Sequence, residues 1–404
     1  MLRMFISIPE PGTGSAARPS WSAFLELGFR PLYMAGAGWA LAAVLIWIFA
    51  PHWAAGPLGG LAWHAHEMLW AFVATIAVGF LLTAGANWTG ITPLTGKPLG
   101  GLVALWVLAR VAYLLPWPAA FALAATAELL FFAIAAAAMG RVVWISRNKR
   151  NYAVPLLMFG LALADAFFLA SLGDWSLAMR GFSAGLLVMA LIAMLVARRV
   201  IPFFATRAIP ELKIPMHERS GQWQLGAAAV AVLAGLAGWG LLQAAGLALA
   251  GVLGLWQLFS WQPAAVRQRP ILWILYTGYA GLAIGLLVAA AQAAGVEMRP
   301  ALPVHLIAMA GFSVLIIGML TRTALGHLGR GLVLDRSMVT SYWLVLSAVV
   351  LRLLALAPLA MSGTLLQASA LAWAAAFATY LWRFVPWLVR PRPDRPLPAP
   401  AAKT

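Results

Sequence analysis

The chain contains no cysteine. That excludes disulfides, thiolate metal sites, iron–sulfur clusters and covalently attached c-type heme, which requires a C-x-x-C-H motif. Any metal must therefore be held by histidine, methionine or carboxylate. Charge is scarce as well: only 9% of the 404 residues are charged, against about a quarter in soluble domains. No repeat of fixed period is visible, and no inverted pair of the kind that marks many transporters. A cleavable signal peptide is also missing, because the first apolar stretch is short and is broken by Pro9 and Pro11.

What the sequence has in excess is apolar length. Hydrophobic residues make up 63% of the chain, with 37 Gly and 20 Trp, a composition suited to helices with small packing faces and interfacial indole anchors. A span needs roughly 20 apolar residues. The pattern predicts an all-α membrane protein, a polytopic bundle of about twelve helices, near 30–51, 63–87, 99–116, 118–140, 152–172, 182–199, 222–242, 245–260, 270–293, 302–323, 339–358 and 363–389. Two of these are separated by almost nothing, around Gly246. The longest loop is 200–221, with Pro202, Pro210 and Pro215. Three parts follow: residues 1–29 as a cytoplasmic segment with an interfacial stretch at 21–29, one transmembrane domain at 30–389, and a disordered tail at 390–404.

The net charge of +16 is a topology signal. All but four of the 27 Lys and Arg fall in or at the edges of the N-terminus, the even-numbered loops and the C-terminus. Arg180 and Arg299 fall in odd loops, and Arg110 and Arg352 inside spans. By the positive-inside rule both termini are cytoplasmic, as expected of an inner-membrane protein. Anionic lipid headgroups are the natural partner of this charge, and nucleic acid is not.

Ionisable residues within a bilayer cost free energy, so each is a functional candidate. Span 2 opens with Trp63-His64-Ala65-His66-Glu67-Met68, and His305 stands in the first turn of span 10. Arg110, Arg352 and Asp165 lie in the outer halves of spans 3, 11 and 5, with Glu128 near the middle of span 4. These groups gather in the outer leaflet on several helices. At roughly 100° per residue, His64 and His66 point about 200° apart. They read as serving two centres, or as one ligand and one packing residue. Met309, one turn beyond His305, offers a further ligand. Arg110 and Arg352 have two open readings: ion pairs with Glu128 and Asp165, or recognition of carboxylates on a heme. His327 lies roughly 33 Å further along than His305 at 1.5 Å per residue, on the cytoplasmic side. His52 and His217 read as interfacial residues.

Several separated motifs resemble the NnrS family, bacterial membrane proteins of the nitric oxide response that bind heme and copper. They are Leu27-Gly28-Phe29-Arg30-Pro31, His64-Ala65-His66-Glu67-Met68 and Gly79-Phe80-Leu81-Leu82-Thr83 with Asn87-Trp88-Thr89-Gly90. Arg110, Arg199-Val200-Ile201-Pro202-Phe203-Phe204, His305-Leu306, and Arg322 with Leu325-Gly326-His327-Leu328-Gly329-Arg330 complete the set. The resemblance implies a non-covalent, b-type heme and a copper. It implies His64, His66 and His305 as metal ligands, with Glu67, Arg110 and Arg352 supporting them. The ligand would be nitric oxide, bound or detoxified at an outer-leaflet centre, with a quinol or protein electron donor if turnover is reductive. Arg322, His327 and Arg330 would bind a second cofactor, a quinone headgroup or a partner, or hold their loop. Two other classes remain open on sequence alone: an ion-coupled secondary transporter, and a non-catalytic heme or copper accessory or sensor protein.

Overall fold

A computed structural model describes residues 18–54 and 56–393. Among these residues there is no β-strand. Apart from short turns, the described residues form twelve long helices: α1 Phe29–Phe49, α2 Gly60–Thr89, α3 Gly96–Tyr113, α4 Pro118–Ile145, α5 Ala153–Ala170 and α6 Trp175–Ala208, then α7 Glu218–Ala237, α8 Gly240–Ser260, α9 Pro270–Ala293, α10 Ala301–His327, α11 Arg336–Leu354 and α12 Ser362–Leu388. Ten of them are long and apolar enough to cross a membrane; α3 and α7 fall outside that set. Lys97 and Arg110 dilute the apolar run in α3, and Glu218, Arg219 and Gln222 do so in α7. The expected tail from residue 391 lies almost wholly outside the described residues, as does most of the N-terminal segment.

Local chemistry sets the ends. Pro118 and Pro270 start α4 and α9, where a missing N–H costs nothing. Asp174 and Asp335 cap α6 and α11 with their carboxylates. Gly238, at φ 77°, closes α7. The turn between α7 and α8 therefore lies at 238–239 rather than near Gly246, which is inside α8. A Cβ on Gly246 would lie 2.6 Å from the carbonyl of Ala227, so a small residue is needed there for close packing rather than for a turn. Two further boundaries differ from expectation. α6 runs through Pro202 to Ala208, and the proline's carbonyl accepts from the Thr206 hydroxyl at 3.0 Å. The predicted loop 200–221 shrinks accordingly, and Arg180 joins the first turns of α6. α10 continues to His327, so Leu325, Gly326 and His327 form a helix end, not a loop.

α2 is the axis of the bundle. Its apolar stretch is 83% buried and that of α6 is 72%, whereas α11 reaches 33%. α2 packs on α1, α4, α6 and α10, and α12 returns to α1. Arg30 fastens that closure by donating to the carbonyls of Leu388 (3.0 Å) and Arg390 (2.7 Å). The Leu27–Pro31 and Gly79–Thr83 motifs meet here, with the Phe29 N–H donating to the Thr83 hydroxyl at 2.9 Å. Outward, Leu156, Leu233, Leu241 and Phe259 are exposed, a surface that suits lipid and not water. Trp21, Trp117, Trp144 and Trp239 project near helix ends, as an interfacial belt requires.

The two central inward-running helices share an unusual device. Each changes from α to π winding immediately after a histidine: α2 over Glu67–Ala74 and α10 over Leu306–Ser313. Eight residues of i→i+5 winding are rare and concentrate at functional sites. Small residues on α9 accept the wide turn of α10. A Cβ on Gly278 would lie 2.6 Å from the Leu315 nitrogen, one on Gly285 2.8 Å from the Ile307 nitrogen, and one on Gly281 would strike the Ala310 carbonyl.

Candidate metal centre

The upper end of the bundle, where α2 and α10 begin, holds two adjoining sets of polar side chains. His64 and His66 go to different sets. His66 faces inward with Glu67, and Arg110 from α3, Glu128 from α4 and Asp165 from α5 converge on them. His66, Glu67 and Asp165 have no accessible surface, and Arg110 and Glu128 only 2%. His66 Nδ1 lies 2.9 Å from Glu67 Oε1, and its Nε2 lies 2.9 Å from Glu128 Oε2 and 3.1 Å from Asp165 Oδ1. Arg110 donates to Glu67 Oε2 at 2.7 Å and, through its other amino group, to Glu128 Oε1. The Trp39 indole donates to Glu67 at 2.6 Å.

Two consequences follow from charge and geometry. Three carboxylates share one guanidinium and one imidazole, so the cluster lacks positive charge in a region where uncompensated charge is costly. In addition, an Nδ1–H bond to Glu67 turns the Nε2 lone pair of His66 toward two carboxylate oxygens. Such an arrangement needs a proton or a cation at its centre. One ligand atom each from His66, Glu128 and Asp165 lies within 4.8 Å of the others, the spacing of a metal site.

The second set is His64, His305 and Arg352. His64 stacks on Trp47, with ring centroids 5.0 Å apart and planes 12° apart, and it is within electrostatic reach of His305 and Arg352. Its Nδ1 is buried without a hydrogen-bond partner. His305 donates Nδ1–H to the Ala301 carbonyl at 2.7 Å, and its Nε2 accepts from Arg352 Nε at 3.1 Å. The backbone carbonyl fixes the tautomer, as it does for many metal-binding histidines, but here the lone pair on Nε2 is taken by Arg352. Met309 sits half-buried in the wide turn just past His305.

These contacts revise the reading of the arginines. Arg110 is occupied by two acids, so it is an ion-pair residue and not a partner awaiting a heme carboxylate. Arg352 supports His305 and pairs with no acid. From sequence, Glu128 and Asp165 read as intramembrane functional candidates, as ion-pair partners of the arginines or as groups of an ion-coupled carrier; the structure brings them together on His66. Their signal in the sequence was an acid within each of spans 4 and 5, near the middle of one and in the outer half of the other, which cannot show that they converge.

The remaining motif residues stand at the lower end, where α2 and α10 finish. Asn87, Arg322 and His327 line a cavity of about 550 Å³ between α2, α6 and α10. Arg330 lies over the Trp387 ring at 3.8 Å, outside that lining. His52 and His217 take no part in either end; His217 packs on Trp256 at 4.4 Å, and that burial lowers its pKa.

Fold and site together define a polytopic helical membrane protein with a buried histidine–carboxylate donor set. The profile of the NnrS protein family matches residues 23–392, and the chain belongs to that family. It is thus a membrane protein of the nitric oxide response family. A search of curated proteins gives no significant match.

Proposed function

We propose that this chain is a metal-carrying inner-membrane protein that binds or detoxifies nitric oxide at the upper end of its bundle. By the charge bias of the loops that end is periplasmic. The observation that carries the reading is the closed His66–Glu128–Asp165 set. An imidazole nitrogen and two carboxylate oxygens suit a divalent first-row ion such as iron(II) or copper(II), whereas copper(I) prefers softer donors. The neighbouring His64, whose Nδ1 has no hydrogen-bond partner, offers a further imidazole donor, and His305 would join it once Arg352 releases its Nε2. When bound, such an ion supplies an open coordination position for a small uncharged ligand. The protein's part is to hold the imidazoles in one tautomer through Glu67 and the Ala301 carbonyl, to balance the acids with Arg110, and to keep water out.

Reductive turnover would draw electrons from a quinol or a protein donor, since the chain has no cysteine to hold a cluster or c-type heme.

The test is metal analysis of protein purified without chelator, followed by spectra of the reduced protein with and without nitric oxide. Wild type is expected to carry a stoichiometric first-row ion, lost in His66→Ala and in Asp165→Asn, and to change spectrum on adding the gas. Metal-free wild-type protein with unaltered spectra would end this reading.

A further inference from the structure

The family resemblance implies a heme, and the His66–Glu67–Asp165 cluster at the upper end has no room for one. Residues with zero accessible surface have no space beside them even for a water-sized probe, and Trp63, His66, Glu67, Trp70 and Asp165 are all in that state. An ion fits among their donor atoms; a porphyrin does not.

The lower cavity is different in every respect. Its volume of about 550 Å³ falls in the range of sites that enclose a sizeable cofactor, roughly 300–1,000 Å³. Phe80, Trp88, Phe203 and Phe204 give it aromatic walls, and no acid lines it. Three basic residues do. Arg322 is 8% exposed, its guanidinium lies over the Phe204 ring at 3.6 Å, and no carboxylate among the described residues pairs with it. Arg199 is steadied from outside by Asn151 Oδ1 at 2.7 Å and the Arg150 carbonyl at 3.0 Å; Glu218 acts on it at longer range, and no carboxylate among the described residues forms an ion pair with it. His327, at the end of α10, completes the set. A guanidinium buried without an anion is costly, and the buried Arg322 with the half-buried Arg199 beside one open volume call for a ligand with carboxylates.

We infer that this cavity is the heme site, with His327 supplying the imidazole for the iron and Arg199 and Arg322 binding the two carboxylates of the porphyrin. This rests on the functional reading only in taking heme as a cofactor. Imidazole is a standard axial ligand for non-covalent heme, and arginine binds carboxylates bidentately. A lipid tail or an isoprenoid chain is a poorer occupant. The apolar compartment that adjoins the cavity, sharing Phe80, Val196, Val200 and Met319, measures about 90 Å³. That is smaller than the ~150 Å³ that holds a single benzene. The two centres are therefore set at opposite ends of α2 and α10, each helix serving both.

The test uses the full-length protein in detergent, loaded with hemin and read by Soret absorbance, heme content and electron paramagnetic resonance. Wild type is expected to hold heme. His327→Ala should lower its heme affinity at least tenfold with partial recovery in added imidazole, and His327→Met should keep heme with a shifted spectrum. Arg322→Gln and Arg199→Gln should each weaken retention several-fold. His66→Ala and His305→Ala should lose their ion and keep the Soret band. Heme retained unchanged in His327→Ala, or lost only in His305→Ala, would overturn the placement and leave the functional reading standing. A wild-type chain that takes up no heme but binds its ion would overturn the placement alone. One that holds neither would end both.

Discussion

The two ends of this bundle use the same side chains to opposite effect. At the upper end Arg110 lies between Glu67 and Glu128, His66 touches three acids, and the whole is sealed. At the lower end Arg322 lies on an aromatic ring beside a cavity, with no acid near it. Arginine and histidine in a membrane helix are thus ambiguous by themselves; what surrounds them decides. Among acids they build a permanent electrostatic cluster. Among aromatics, next to open volume, they wait for an anion.

The sharpest way to break this contrast is to remove one arginine at each end. Arg110→Met should cost about 3–5 kcal/mol, the usual penalty for stranding buried charges, seen as a large fall in the detergent melting temperature. Arg322→Gln should leave the melting temperature of the ligand-free protein within about 1 kcal/mol equivalent and change ligand retention instead. Equal destabilisation by the two would dissolve the distinction. Next in size is metal removal. A chelator should lower wild-type stability by about 2.7 kcal/mol if the ion was present at a hundred times its dissociation constant. The same treatment should not move His66→Ala, and a response there would place the ion elsewhere.

Packing comes third. Gly281→Leu pushes a side chain into the Ala310 carbonyl, and overpacking of this kind costs about 1–3 kcal/mol. Because it disturbs the wide turn after His305, ion binding should weaken more than heme retention does. The smallest effect is at Asp335, outside the membrane-spanning segments. Partial burial works against its charged form, but the Ser337 hydroxyl, the Met338 N–H and Arg383 Nε at 2.5 Å outweigh that and hold its pKa below the ordinary value. A depressed carboxylate pKa contributes stability that is present at neutral pH and is lost as the pH falls through the folded-state value. Asn still caps a helix, so the Asp335→Asn deficit isolates the bond to Arg383. It should be under about 1 kcal/mol at this half-exposed site and should shrink in melts below about pH 4.

Much of this molecule was legible in its sequence. Apolar run length places the spans, and angular arithmetic separates His64 from His66, because both depend on neighbours within one helix. The convergence of Glu128 and Asp165 on His66 was not, since it depends on α4 and α5 delivering acids to one point from distant sequence. Nor was the continuation of α6 through Pro202, where the buried surroundings of Ile201, Pro202 and Ala205 override a local breaker. The lower cavity was hidden for a third reason: an empty space is made by what large side chains fail to fill, and no residue announces it. Arg322 and His327 were visible, but their open volume was not.

The wide turns of α2 and α10 carry a consequence for anyone counting along these helices. Each turn of such winding holds more residues than an ordinary one, so everything beyond it lags in azimuth behind a straight helix. Because both lags span eight residues and follow a histidine, the two helices stay in phase with each other while falling out of phase with their own upper ends. Deleting a single residue within 67–74 should leave α2 helical and its upper histidines in place. Asn87 would nevertheless swing away from its position opposite His327, and the lower wall would come apart without any residue in it having been changed.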